Sequence, residues 1–412
     1  MMFFVVSCVF YLGFGMKFAT FVCVMKKIFL LFTMIISSLA FFSCDEADEP
    51  TPVPEPEVKT VNRSVLVYMI ADNSLGRAQL DRRDLLEMKA AAAKGDIQDG
   101  RLIVYHSAPG VNSGTVPVLL DVTSEGIDTL KSYPDNPEIY SVDVDRMKEV
   151  LADFKEMAPA REYGLVLWSH GSGWRENASS RSPKSRSFGE DRGVTMKVTS
   201  LADALAGEHF EFIYFDCCLM ATVEVAYELR GVTARIVASG TELMDTGMNY
   251  EDNVKVFFSS PLDIRQAAEN TFNYYNGMTG VYRTCTMTVV NTSGLERLAA
   301  KARAIMATGA VPTIKLNQQQ SYWNSASNTI FDLGYFVETL DCSDDLKADF
   351  NAALGDVVEY KAATPYILNV LRMSHYSGLG TFVMSSPADS TFYGYNNQSW
   401  YRDVVSFNPS YK

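Results

Sequence analysis

Two uninterrupted apolar runs dominate the pattern of this chain, YGLVLWS at residues 163–169 and FEFIYFD at 210–216. Both have strand length, both are rich in aromatic and β-branched residues, and neither alternates with polar positions, which is the signature of strands buried on two faces in a parallel sheet. Each run ends at residue types that do chemistry. The first delivers His170 within HGSGW, the second Cys217 and Cys218 within DCCLM. Strands that run parallel end on one edge of their sheet, and open α/β proteins place their sites on that edge.

The remaining pattern supports the same architecture. SVLVYMIA from Ser64 reads as a strand closed by the turn and cap residues Asp72, Asn73 and Ser74, and a helix is expected over 75–94, stopped by Gly95. RLIVYHS (101–107) and VPVLLDV near 117 read as strands, and DVDRMKEVLADFKEM from Asp143 has helical spacing. A long polar loop, 175–194, separates the histidine run from a short helix, SLADALAG, that leads into the cysteine run. LMATVEVAYELRG is expected to continue as a helix directly beyond the cysteines, and ARIVASG (234–240) as a further strand. Strands alternating with helices imply a mainly parallel sheet with right-handed crossovers. From Asp252 the texture changes to helix-like stretches, PLDIRQAAENTFNYYNG, GLERLAAKARAIMA and SDDLKADFNAALGDVVEYKAA, around two strand candidates, YRTCTMTVVN and LGTFVMSS. That part is either a second subdomain or a helical cover for the sheet.

Length and charge narrow the class. With 412 residues, 47% of them apolar, the chain has ample material for a large core. Its formal charge is −13, and the first 43 residues carry Lys17, Lys26 and Lys27 without an acid, so the remainder is more negative still. An acidic chain of this kind is a poor partner for nucleic acid.

Residues 1–43 read as a secretion signal in which Lys26 and Lys27 precede an apolar run over 28–42; initiation at Met1 and at Met25 both fit. Cys44 follows a small residue and resembles the lipidated cysteine of bacterial lipoproteins, although Phe41 and Phe42 depart from the usual pattern. The acidic DEADE after it resembles the surface-export signal of Bacteroidetes lipoproteins. Residues 44–62 are then a lipidated, acidic, proline-rich tether. A cleaved soluble signal and a retained anchor are the alternatives. The expected location is the outer membrane, at the cell surface or facing the periplasm.

Of seven cysteines, only 217, 218, 285 and 342 lie beyond the signal and the lipid site, too few for a disulfide scaffold. Cysteine catalysis needs a thiolate or a base to make one, and donors for the oxyanion formed on attack. His170 at a strand end supplies the base. The backbone N–H groups of Gly171 and Cys218 are the candidate oxyanion donors, and a helix starting behind the cysteines is expected to aim its N-terminus at the sulfur. His106, His209 and His375 read as structural. A metal site lacks the usual ligand spacing.

VYMIADNSL, LVLWSHGSGW, FDCCLM with EVAYEL, and VASGTEL together resemble the clostripain family of cysteine peptidases, well over residues 64–250 and weakly as far as SGLGTFVMSSP. The resemblance implies a caspase-like α/β/α sandwich with a mainly parallel central sheet, a catalytic core over 63–250, and a helix-rich part over 251–412 that completes or covers the sheet. It puts the catalytic histidine at His170 and the nucleophile at Cys218, leaving Cys217 as a small packing residue. It also implies that Asp216 lies in the primary specificity pocket, pairing with a basic side chain; an aspartate closing its strand is the plainer reading.

Relatives cut themselves in the loop between the two strands, where Arg181, Lys184, Arg186 and Arg192 stand among serines. Lys184, Arg186 and Arg181 are the processing candidates. The chain departs from the family where paired acids are usual, offering SGTEL and then GMNY; Asp245 is a carboxylate whose place is open. The chemistry requires no cofactor, and calcium is a candidate by resemblance alone, with Glu190 and Asp191 as acids near the loop. A monomer acting on protein or peptide is expected. The rival expectation is a catalytically silent surface lipoprotein that binds peptide or glycan on the same scaffold, through Tyr322, Trp323, Tyr393, Tyr395, Trp400 and Tyr401.

Overall fold

The computed structural model describes residues 59–110, 115–134, 136–175, 188–323 and 330–411. Cys44 and the three processing candidates, Arg181, Lys184 and Arg186, lie outside the described residues. The strands include β1 (Val61–Ile70), β2 (Gly100–Ser107), β3 (Val118–Val122), β4 (Ile127–Ser132), β5 (Ala160–Trp168), β6 (Phe188–Asp191), β7 (Val194–Met196), β8 (Phe212–Asp216), β9 (Arg235–Ala238), β10 (Thr286–Asn291), β11 (Ile330–Asp332) and β12 (Val358–Ala363), followed by three short ones, Tyr366–Ile367, Leu371–Arg372 and Gly380–Phe382.

Nine of them form one sheet in the order β12-β10-β9-β8-β5-β1-β2-β3-β4. The five central strands, β9 to β2, are parallel, and antiparallel strands extend both edges. Leu66, Tyr68 and Ile70 of β1 face one apolar layer while Val65, Val67 and Met69 face the other, the period of two that a strand imposes on its side chains. Helices Val144–Met157, Val198–Ala204, Val223–Glu228, Leu295–Met306 and Asp344–Val357 cover the first face through residues such as Phe154, Leu201, Val225, Leu298 and Phe350. Helices Leu80–Ala93, Tyr250–Phe257 and Ile264–Asn276 cover the second through Met88, Val254, Phe257 and Tyr275. An α/β/α sandwich results. Among the described residues no helix is long and apolar enough to cross a membrane.

Several elements differ from the pattern-based reading. The helix expected over 75–94 is two pieces, Ser74–Arg77 and Leu80–Ala93, with Gln79 between them at φ 62°. The polar loop is shorter than 175–194, because its end folds as the β6–β7 hairpin. Residues 343–363 divide at Val357, after which β12 pairs with β10. β4 carries too few apolar residues to show a strand pattern, as suits an edge position with one neighbour.

Topology singles out one place on the sheet. From β1 the chain steps outward to β2, β3 and β4, then returns to the other flank of β1 as β5 and continues through β8 and β9. The order therefore reverses between β1 and β5, the switch point at which open α/β sheets place their sites.

Candidate active site

β5 and β8 are neighbours, and their parallel register sets Trp168 opposite Asp216. The same offset separates His170 from Cys218, each two positions past the ladder, so the two residues follow the carboxyl ends of neighbouring parallel strands. Gly171 lies directly against the cysteines: a methyl group on it would fall 2.5 Å from the Cys218 carbonyl oxygen and 2.7 Å from Cys217 Sγ. Real Cβ atoms do not approach so closely, so only glycine permits this contact.

Three segments hold His170. Its carbonyl accepts the Gly189 N–H at 2.9 Å, where β6 returns from the loop. Ser169, just before it, donates from Oγ to the Ile70 carbonyl at 3.0 Å and accepts the Glu190 N–H at 3.0 Å. The ring nitrogen Nε2 lies 2.8 Å from the hydroxyl of Ser74, in the turn that leaves β1. That turn is built by Asn73, which is 1% exposed and donates to the Ile70 carbonyl, Ser169 Oγ and the Glu190 carbonyl while accepting the Leu75 N–H.

The two cysteines point to opposite sides of the sheet. Cys217 joins the layer with Phe215 and Met220, whereas Cys218 packs beside Tyr214 and Trp168. Cys218 is half-buried; its sulfur accepts the Leu243 N–H at 3.3 Å and donates to the Leu243 carbonyl at 3.4 Å. Burial pushes its thiol up to about 11, with the nearby acids Glu242, Asp216 and Asp245 adding to the shift against the Leu243 N–H. The expected helix N-terminus does not begin behind the sulfur. Leu219 turns the chain at φ 64°, a left-handed conformation strained for a branched residue, and the helix starts only at Val223, capped by Thr222. The polarity offered to Cys218 comes instead from Leu243, in the loop after β9.

Asp216 is 4% exposed beneath the same loop. One oxygen accepts the Met248 N–H at 2.9 Å and the other the Tyr250 hydroxyl at 3.1 Å. Burial raises its carboxyl to about 7 against these two donors. Pattern reading missed a second acid here, Asp84. It is 1% exposed, takes the Trp168 indole N–H at 2.7 Å, and leaves its other oxygen without a hydrogen-bond partner. Burial, and then the charge of Asp216, raise it to about 8. Glu87, one helical turn on, accepts the Tyr250 N–H at 3.0 Å and pairs with Arg83. The missed signal lies on the helix Leu80–Ala93: Asp81 and Asp84 share the buried stripe with Leu85, Met88 and Ala91, where apolar residues belong.

Other expected residues lie elsewhere. Asp191 is 1% exposed, accepts the Ser141 N–H at 2.6 Å, and contacts its neighbour Arg192 at 3.1 Å. Among the described residues no group of three His, Cys, Asp or Glu side chains is arranged to hold a metal. Asp245 is exposed. Tyr322, Tyr395 and Trp400 are buried in the core, with Trp174 stacked on Tyr395 at 4.7 Å, which removes much of the aromatic surface expected to bind a glycan.

The model of the clostripain family matches residues 67–390. The fold matches that of an inactive zymogen C11 protease from Parabacteroides distasonis, with TM-score 0.71 and 26% identity over 84% of this chain and 99% of that one. A secreted C11 cysteine protease from Bacteroides thetaiotaomicron, bound to an irreversible peptide inhibitor, gives 0.68 and 26% over 85% and 99%. A further structure described as a secreted C11 cysteine protease from that organism, iotapain, gives 0.72 at 22% identity, over 84% of this chain and 100% of that one. No curated protein matches the chain.

Proposed function

The chain belongs to the clostripain family of cysteine peptidases, and from that premise we propose that Cys218 is its nucleophile and His170 its general base in an endopeptidase. The observation that carries this reading is the parallel register of β5 and β8, which directs both residues to one rim, with Gly171 packed on the cysteine pair. Because burial keeps the thiol neutral near pH 7, its proton passes to His170 as the sulfur attacks the scissile carbonyl. The resulting oxyanion is received by the N–H groups of Gly171 and Cys218. His170 then protonates the leaving amine, and water, deprotonated by the same ring, releases the acyl group. No cofactor enters these steps.

Finer features belong to the same proposal. Cleavage follows Arg or Lys, supported by the buried acids Asp216 and Asp84 beneath the rim, where one basic side chain would meet two carboxylates. Activation is by self-cleavage within 175–194 at Lys184, Arg186 or Arg181, a reading supported by a structural relative described as an inactive zymogen. The enzyme is held at the outer membrane, at the cell surface or facing the periplasm, through a lipid on Cys44.

Mass spectrometry of the purified protein beside its Cys218→Ala and Cys217→Ala variants tests the assignment. Wild type and Cys217→Ala are expected as two fragments, cut after the same basic residue, and Cys218→Ala as one intact chain. Self-cleavage that survives in Cys218→Ala and disappears in Cys217→Ala would reverse it.

A further inference from the structure

We propose that Ser74 is the positioning residue of His170: its hydroxyl accepts the Nε2–H of the imidazole, which makes Nδ1 the basic nitrogen and fixes the plane of the ring. The inference rests on the assignment of His170 as the base.

Three observations support it. The contact is direct, 2.8 Å between Ser74 Oγ and His170 Nε2, a normal length for a hydrogen bond. It is also prepared on both sides, because the residues just before the two partners are themselves joined: Asn73 Nδ2 donates to Ser169 Oγ at 3.2 Å, and both side chains bond the Ile70 carbonyl. With positions 73 and 169 tied to each other and to the end of β1, the side chains that follow meet without a search. Finally, the contact spans the switch point between β1 and β5, the place on the sheet edge where open α/β proteins build their sites. Histidine rings in functional sites take their tautomer from the partner of the second nitrogen, and here that partner is a hydroxyl.

A neutral, half-buried thiol makes this positioning matter. The reactive form is a thiolate beside an imidazolium, and a hydroxyl accepting from Nε2–H steadies the imidazolium. Removing it makes the ion pair scarcer at neutral pH and has less effect where the thiol ionises unaided.

The test compares Ser74→Ala, Ser74→Thr, His170→Ala and the unaltered protein as full-length chains. It follows alkylation of Cys218 by iodoacetamide, read on the Cys218 peptide by tandem mass spectrometry across pH 6–10, with thermal melting alongside. Ser74→Ala is expected to alkylate about fivefold more slowly at pH 7, the worth of one ordinary hydrogen bond, with the deficit shrinking toward pH 10. Ser74→Thr, which keeps the hydroxyl, is expected to restore the rate. A Ser74→Ala rate equal to wild type at every pH, while His170→Ala is slow, overturns the inference and leaves the base assignment standing. Failure of Thr to restore the rate, or a deficit independent of pH, also overturns it. An unimpaired His170→Ala removes the base assignment and this inference with it.

Discussion

A buried carboxylate is costly in its charged form, and this protein keeps two of them, Asp216 and Asp84, under one loop, where the Arg83 guanidinium at 3.9 Å from Asp84 offsets only part of the burial. Unfolded, an aspartate titrates near its ordinary value; folded, Asp216 titrates at about 7. A raised carboxyl pKa means that the folded state binds the proton more tightly. Its stability contribution is therefore present at low pH and lost as pH rises from the ordinary aspartate range through 7. Asp216→Asn, which cannot ionise, should accordingly melt at or above wild type at pH 8 and lose that advantage near pH 4. If Asp216 reads a basic residue, the same variant should cut Arg and Lys reporter peptides far less well than neutral ones. Equal losses on both reporter classes would remove Asp216 from the specificity pocket, and a lower melting point at pH 8 would refute the linkage argument. Gly171 makes a steric counterpart. Gly171→Ala drives a methyl into Cys217 and the Cys218 carbonyl, and overpacking of that kind costs about 1–3 kcal/mol, so both melting temperature and peptidase activity should fall.

At the scale of elements, the loop between β5 and β8 is anchored at both ends. Before it, Trp174 stacks in the core and Arg175 lies over the Tyr393 ring at 4.9 Å. After it, β6 is held by His170, Ser169 and Asn73. A cut between positions 175 and 188 thus separates two pieces that share the β5–β8 ladder and the buried surface on both its faces. The fragments should co-elute as one species in size-exclusion chromatography and part only in denaturant; separation in plain buffer would show that the loop itself holds the halves together. The short helix behind Cys218 makes the converse point. Its sequence has good helical texture from Leu219, yet Thr222 caps it late, because residues 219–221 are taken up by backbone bonds to Thr241 and Ser239 in the loop after β9.

On the scale of the whole molecule, the sheet does not stop at residue 250. β10 and β12 continue it, and helices after residue 290 complete the layer that covers the cysteine strand. Glu224, fully buried, ties the two regions by accepting the Phe382 N–H at 2.8 Å and the hydroxyls of Thr381 and Tyr395. The proposed lipid on Cys44 is likewise a property of the complete chain. Fed a labelled fatty acid, cells making the wild-type protein should incorporate the label and cells making Cys44→Ala should not; label retained in the variant would reject lipidation there.

The sequence alone determined the strand–helix alternation, the two buried runs and the residues at their ends, because burial on two faces leaves an unbroken apolar run and chemistry shows as polar residues that interrupt it. The strand ends that carry His170 and Cys218 were legible for that reason, and the cysteine peptidase class through the resemblance of the motifs around them. What only the tertiary structure decided was each contact that depends on where separate segments meet: Ser74 on His170, Leu243 on the Cys218 sulfur, Asp84 beside Asp216, and β12 emerging from an apparently helical stretch. Local periodicity reports which face of an element is buried. The partner it is buried against is set by sheet order and crossover direction, which no single segment encodes.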